Sequence, residues 1–235
     1  MSWDQETAEW WVGEVSSDPA YREVVVPLLV DVLEPAAGML CLDLGCGEGG
    51  AMRALAQRGV RPIGCDAAPA LAERASSAGP VVVARLPDLS WLAAASLDAA
   101  YAVLVLEHLA DHAALFEAAA RVVRPGGALA VVSNHPAFTA PESAPVLDPE
   151  DGEVLWRWGG YLGGGASEVP AGGGTIVFHH RSMGDLLGAA AAAGWCLERL
   201  VEVGVGEHLA ESDPLLALQR DIPRLAGLRW RRAEP

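Results

Sequence analysis

The sequence contains no lysine: all 16 basic residues are arginine, set against 31 Asp and Glu, for a formal net charge of -15 over 235 residues. That absence removes the lysine Schiff base, the phosphate-loop lysine and the Tyr-x-x-x-Lys proton relay as mechanisms. The shortage of clustered cations argues against nucleic acid and against an anionic membrane surface as partners. No stretch approaches the ~20 uninterrupted apolar residues of a membrane span, and the start Met-Ser-Trp-Asp-Gln-Glu has neither a basic beginning nor an apolar stretch after it. A soluble, cytoplasmic protein is expected. Cys41, Cys46, Cys65 and Cys196 form no Cys-x-x-Cys pair and sit in apolar surroundings, so reduced, buried thiols are expected. The histidines and acids lack ligand spacing, and no metal is expected.

What is present reads as alternating strands and helices. Residues 1–37 form an acidic helical preface, with Val24, Leu28, Leu29, Val32 and Leu33 at helical spacing and tryptophans at 3, 10 and 11. Strands are predicted over 39–44, 60–65, 81–83, 99–106 and 128–133, separated by a helix through Met52, Leu55 and Ala56 up to a stop at Gly59 and by helices over 70–78 and 112–123, the last capped by Asp111. Residues 136–178, rich in proline, acids and glycine and carrying Trp156 and Trp158, are expected to be an inserted cap after strand five. Periodicity returns with an apolar run at 175–178, a helix over 182–193 and strands over 195–203 and 225–230. This predicts a single doubly wound α/β domain over 1–235, with a mostly parallel sheet covered on both faces, a core over 38–135 and a C-terminal part over 179–235.

The chemistry-bearing motif is Asp43-x-Gly45-x-Gly47-x-Gly49-Gly50, where the first strand turns into the first helix. Glycines there let the backbone turn tightly and approach a ligand, and free amides at the helix start favour polar groups. Gly45, Gly47 and Gly50 also satisfy a dinucleotide fingerprint, so the turn alone fits two cofactors. Asp43, two residues before the first glycine, favours a ligand with a cationic amino-acid end. Asp66 closes the second strand, where a carboxylate accepts hydrogen bonds from both ribose hydroxyls and repels a 2'-phosphate; it also suits a helix cap.

The run Leu-Asp43-Leu-Gly-Cys46-Gly-Glu48-Gly, then Gly-Cys-Asp66, Leu86-Pro87, Leu97-Asp98-Ala-Ala-Tyr101, Leu106-Glu-His-Leu109 and Arg124-Pro-Gly-Gly127, resembles class I S-adenosylmethionine-dependent methyltransferases of the small-molecule type over roughly residues 38 to 135. The resemblance implies a seven-stranded Rossmann-like sheet, S-adenosyl-L-methionine as methyl donor and S-adenosyl-L-homocysteine as product. It places Asp43, Gly45, Cys46, Gly47, Glu48 and Gly49 on the methionine part, Asp66 and Ala67 on the ribose, and Arg85 and Leu86 beside the adenine. Leu106 is expected in the methionine pocket. One departure is the lack of an Asp directly after strand three for the adenine amino group. The segment His179-His180-Arg181 through Gly194-Trp195 resembles the C-terminal half of small-molecule members.

Methyl transfer from a sulfonium is an in-line displacement, so alignment and exclusion of water carry most of the rate, and a base helps a hydroxyl acceptor. His108 and His135, just past strands four and five, are candidate bases, as is His180; His179 and His180 are candidates for substrate contact and, adjacent on a strand, point to opposite faces. The acceptor is expected to be a small, neutral or cationic molecule methylated at oxygen, nitrogen or carbon, with a homodimer as an option for the assembly. Trp3, Trp10, Trp11 and Tyr21, with Trp156 and Trp158, are candidates for an apolar lid. The rival readings are a non-catalytic cofactor-binding partner or regulator and, third, an NAD-dependent oxidoreductase.

Overall fold

The computed structural model describes residues 5–14, 18–171 and 174–234. Strands β1 (Leu40–Leu44), β2 (Arg61–Asp66), β3 (Val81–Val83), β4 (Leu97–Val103) and β5 (Val123–Asn134) run parallel. Two hairpins follow: β6 (Ala144–Leu147) with β7 (Val154–Arg157), and β8 (Gly165–Ala171) with β9 (Gly174–His180). Last come β10 (Trp195–Val203) and β11 (Leu225–Arg232), which pairs antiparallel with both β10 and β5. The seven-stranded sheet has the order β10-β11-β5-β4-β1-β2-β3. It is the doubly wound, mostly parallel sheet expected. The helices are α1 (Gln5–Glu14), α2 (Val26–Leu33), α3 (Gly50–Ala56), α4 (Pro69–Ala75), α5 (His112–Val122), α6 (Pro136–Thr139), α7 (Met183–Ala192), α8 (Glu207–Ser212) and α9 (Pro214–Ala217).

Period-two alternation assigns each strand residue to one face of the sheet. Cys41, Tyr101, Ala130 and Val132 meet Leu29, Leu33 and Leu55 of α2 and α3. The intervening Leu42, Leu44, Ala100, Leu129 and Val131 meet Leu115, Phe116 and Ala119 of α5 and Leu186 and Ala190 of α7. Burial on both faces explains why these strands read as continuous apolar runs. Gly227 lets α2 approach β11: a Cβ there would lie 2.7 Å from Leu28 Cδ1.

Four local features differ from expectation, three of them in the sheet. The fourth strand stops at Val103, because Leu104 takes φ +55° and the chain enters a 3-10 turn at Leu106–His108. The apolar run continues through the turn, which hid the boundary. Arg124-Pro-Gly-Gly127 is an irregularity within β5: Leu97 pairs with Val123 and Ala99 with Ala128, so the intervening residues bulge out. Arg124 there pairs with Asp98 at 3.0 Å, and Asp98 accepts the Leu40 amide at 2.7 Å, tying the starts of β5, β4 and β1. Cys196 is exposed on edge strand β10, whereas Cys41, Cys46 and Cys65 are buried as expected.

Residues 136–178 contain α6, both sides of the first hairpin and most of the second, and position 178 lies inside β9. Ser182 caps α7 instead of lying in it: it accepts the Asp185 amide at 3.1 Å while the Asp185 carboxylate accepts the Ser182 amide at 3.2 Å. Among the described residues no helix is long and apolar enough to cross a membrane.

Candidate functional site

Strand order reverses between β1 and β4, the place where open parallel sheets bind ligands beyond their carboxyl ends. A cavity of about 420 Å³ lies there. Its floor is the turn after β1, where Asp43, Gly45, Cys46, Gly47 and Glu48 face the space. Asp66 and Ala67 after β2, and Arg85 and Leu86 after β3, form one side.

The turn is shaped by its glycines and by Asp66. The amides of Gly45 and Cys46 both donate to the Cys65 carbonyl at 2.9 Å, and the Gly47 amide donates to Asp66 Oδ2 at 2.9 Å. Asp66 Oδ1 accepts from the Ala68 amide at 2.8 Å, so this carboxylate braces the loop as well as facing the cavity. Gly45 takes φ +76°, and a Cβ on it would lie 2.7 Å from Val105 Cγ2. Gly49 does not line the cavity; at φ +85° it lets the backbone pass α4, where a Cβ would lie 2.9 Å from Ala75 Cα.

Asp43 is 2 % exposed, and its Oδ2 has no hydrogen-bond partner. Burial holds its carboxyl well above the usual carboxylate range; Tyr101, its register partner on β4, eases the shift, and neighbouring Asp66 adds to it. Burial also raises Asp66. A buried acceptor without a donor is costly, which makes Asp43 a group awaiting a cation or donor from the cavity. The residues fit a ligand with an ammonium at this end. They do not suit a diphosphate at the glycine turn, where Asp43, Glu48 and Asp66 would face its charge. The thiols add no reactivity: burial pushes Cys65 up to about 12 and moves Cys46 further in the same direction.

The opposite wall comes from distant parts of the chain: Thr7 and Trp11 of α1, Tyr21, and Thr175, Ile176, Val177 and His179 of β9. Between them stands His108, its ring 5.8 Å from that of Trp11 and 4.8 Å from that of Phe178. Burial lowers His108 to about 4, against a raising contact with the Val177 backbone, and His179 lowers it further. It is therefore neutral at physiological pH.

The remaining predicted residues lie elsewhere. Leu106 faces the core and not the cavity; Leu104 and Val105 take its place, because the positive-φ turn swings them inward. His135 is buried as the N-cap of α6, accepting the Ala137 amide at 3.1 Å, and its Nε2 lies 2.8 Å from Glu202. His180 is buried on the far face of β9 from His179, with Nε2 2.8 Å from the Tyr161 carbonyl. Of the aromatic residues expected over the site, Trp11 and Tyr21 line it; Trp156 instead stacks on Phe138, and Trp158 packs on Tyr161. Trp3 lies outside the described residues. Sequence reasoning missed Thr7, Val103, Leu109 and Ala110 and the wall formed by Thr175–Val177. The apolar run at 175–178 signalled a strand, and nothing local signalled its direction.

Arg181 fixes the turn that carries His108. Its guanidinium donates to the carbonyls of Leu106 at 2.8 Å, Ala110 at 3.0 Å and Leu109. Buried Glu107 accepts the Asn134 side-chain amide at 2.7 Å, linking the turn to the end of β5.

With this geometry in view, residues 42–131 match the family model described as a methyltransferase domain. A ubiquinone biosynthesis O-methyltransferase of Xylella fastidiosa is 33% identical over 135 residues, 53% of this chain and 54% of that protein. A trans-aconitate 2-methyltransferase of Azoarcus is 38% identical over 93 residues, 38% of this chain and 37% of that protein. The chain thus spans about half the length, or less, of these curated relatives. A solved S-adenosylmethionine-dependent methyltransferase from Mesorhizobium loti superposes with a TM-score of 0.74 at 29% identity, covering 88% of this chain and 96% of the other. Residues 42–131 thus match a methyltransferase domain, and the chain has the fold of the S-adenosylmethionine-dependent methyltransferase from Mesorhizobium loti.

Proposed function

We propose that the protein is an enzyme that transfers a methyl group from S-adenosylmethionine to a small molecule, releasing S-adenosylhomocysteine. The observation that carries this reading is the unpartnered Asp43 Oδ2 facing the cavity beside the glycine turn. In this reading Asp43 receives the α-ammonium of the methionine moiety, with Gly45, Cys46, Gly47 and Glu48 against its backbone. Asp66 keeps its bond to Gly47 and accepts a ribose hydroxyl. Ala67, Arg85 and Leu86 flank the adenine, and Leu104 and Val105 take the methionine contact expected of Leu106. Bound there, the donor supplies a sulfonium whose methyl carbon is electrophilic. The chain's contribution is to align the acceptor on the opposite wall and exclude water.

The single domain over 1–235, with residues 136–178 as a cap whose second hairpin closes the acceptor side, belongs to the same proposal. So do a cytoplasmic setting, a small-molecule partner in preference to nucleic acid, and a homodimer as an open option.

Calorimetric titration with S-adenosylhomocysteine and with NAD, followed by labelled-methyl transfer to a panel of phenols, amines and carboxylic acids, tests the reading. Binding of S-adenosylhomocysteine and a labelled product are expected. Binding of NAD alone would overturn the donor assignment, and tight S-adenosylhomocysteine binding without transfer to any acceptor would make the protein a regulator.

A further inference from the structure

We propose that His179 is the proton acceptor of the site and that the acceptor is an uncharged, hydroxyl-bearing aromatic molecule bound between β9 and Trp11. This inference rests on the methyl-transfer reading above and deepens it.

The choice among histidines follows from what each ring already does. His135 is held by Ala137 and Glu202, and His180 by the Tyr161 carbonyl. His112 lies outside the cavity. His108 is packed between Trp11 and Phe178 and tied to the Val177 backbone, so it is a strut that fixes β9 against the turn after β4. Among the described histidines only His179 both lines the cavity and has no hydrogen-bonding partner for its ring. Strand alternation puts it on the face of Thr175 and Val177, which line the cavity, and opposite to His180, which is buried and does not line it; Ile176, of the same face as His180, also reaches the cavity.

The charged and titratable groups around it are Arg181 two residues on, His108 from the turn, and Glu168 paired with Val177 on β8. Burial and Arg181 lower His179 from its ordinary value, which keeps it neutral and able to accept a proton at neutral pH.

The class of acceptor follows from the lining. The acceptor wall, Leu109, Ala110, Thr175, Ile176 and Val177, is uncharged. Among the described residues the one arginine lining the cavity, Arg85, stands after β3 on the other side. A carboxylate or phosphate acceptor would find no arginine among the described residues lining this wall and would face Asp43, Glu48 and Asp66 across the cavity. A neutral amine needs no base, whereas a hydroxyl must lose its proton, which gives a histidine at this wall its use. The indole of Trp11, which lines the cavity, suits an aromatic ring. The step balances: the acceptor oxygen gains the methyl as its bond to sulfur breaks, the hydroxyl proton passes to His179, and the positive charge of the sulfonium reappears on the imidazolium.

The test compares the parent, His179→Gln and His108→Gln on catechol and on 4-nitrocatechol, whose more acidic hydroxyl is ionised near neutral pH without help. With catechol, His179→Gln is expected to lower kcat by ~10²–10⁴-fold, with KM and the calorimetric Kd for S-adenosylhomocysteine little changed. With 4-nitrocatechol the loss should shrink to under about tenfold, because the nucleophile is already ionised. ¹³C-histidine NMR supplies a readout independent of turnover: adding catechol to the protein saturated with S-adenosylhomocysteine should shift the His179 resonance and its titration midpoint. Equal losses on both acceptors, or no loss, would overturn the role of His179. Saturable S-adenosylhomocysteine binding with no transfer to any phenol would overturn the acceptor class and leave the donor reading intact. Failure to bind S-adenosylhomocysteine would instead overturn the donor reading.

Discussion

Replacing Asp43 by Asn separates the stability of the site from its function. In the ligand-free protein the Asp43 carboxylate is buried with Oδ2 unpartnered, and burial is the main cause of its raised pKa. An acid raised on folding binds more protons folded than unfolded between its two pKa values. Its charge therefore costs nothing below the ordinary carboxylate range, and the cost grows as pH climbs through that range toward the raised value. A buried unsatisfied polar group costs ~1–3 kcal/mol, more when charged, and Asn keeps the shape while removing the charge. The ligand-free variant is expected to be more stable than the parent by ~1–2 kcal/mol at about pH 7.5. That corresponds to ~2–8 °C in Tm for a chain of this size, and the gap should close near about pH 4. The same change removes the charged acceptor for the ammonium, worth ~1.5–3 kcal/mol, so the Kd for S-adenosylhomocysteine should rise roughly 10- to 100-fold. At a ligand concentration ~100 times the parent's Kd, ligand stabilisation should fall from ~2.7 to ~0.4–1.4 kcal/mol. Thermal melts with and without ligand across this pH range read both effects. A variant that melts below the parent without ligand at about pH 7.5, or that keeps the full ligand shift, refutes the reasoning.

Gly45→Ala forces a side chain onto φ +76° and against Val105, so a loss of ~1–3 kcal/mol in urea melts is expected, with weaker S-adenosylhomocysteine binding; unchanged binding would contradict a tight turn. His108 is lowered on folding to about 4, so its stabilising neutrality is lost as pH falls from the ordinary histidine value toward that point. His108→Phe keeps the ring contacts and should flatten this acid dependence by up to ~3 kcal/mol at ~1.4 kcal/mol per unit, as measured by denaturant melts over that interval. Arg181→Lys leaves one point charge for the carbonyls of Leu106, Leu109 and Ala110, and a loss of ~1–3 kcal/mol in chemical denaturation is expected; a neutral outcome would show that the guanidinium fork is dispensable.

The side of the cavity proposed to hold the donor was legible because its parts follow one another in the chain. Asp43, the glycines, Asp66 and Arg85 each end a strand or open the turn after it, so a short pattern fixes both their order and the side of the sheet they occupy. The sheet was legible for a related reason: strands buried on both faces must be apolar throughout. Less could be read where one local signal has two outcomes. The apolar letters at 99–106 fit a strand or a strand with a turn, and the positive φ of Leu104 decided for the turn and took Leu106 into the core. Arg124-Pro-Gly-Gly127 read as a turn ahead of the fifth strand, whereas it lies inside β5 as a bulge and ties strand beginnings together at the end of the sheet away from the cavity. His135 and His180 had suitable neighbours in sequence, and their roles were set by partners 67 and 19 residues away.

The acceptor half was not legible because it has no contiguous signature. Thr7 and Trp11 stand more than 160 positions before Thr175 and His179, and only packing brings them together. His108 makes that junction: it rests on the turn after β4 that Arg181 clamps, and its two ring contacts reach Trp11 of α1 and Phe178 of β9. A residue between two walls that belongs to neither motif is well placed to hold the acceptor at a set distance from the donor. Changes in α1 or in the β8–β9 hairpin alter the surface presented to the acceptor, while Asp43 and Asp66, seated on β1 and β2, keep their positions. In the proposed reading donor binding and acceptor choice fall to different stretches of chain, and His108 stands where the two meet.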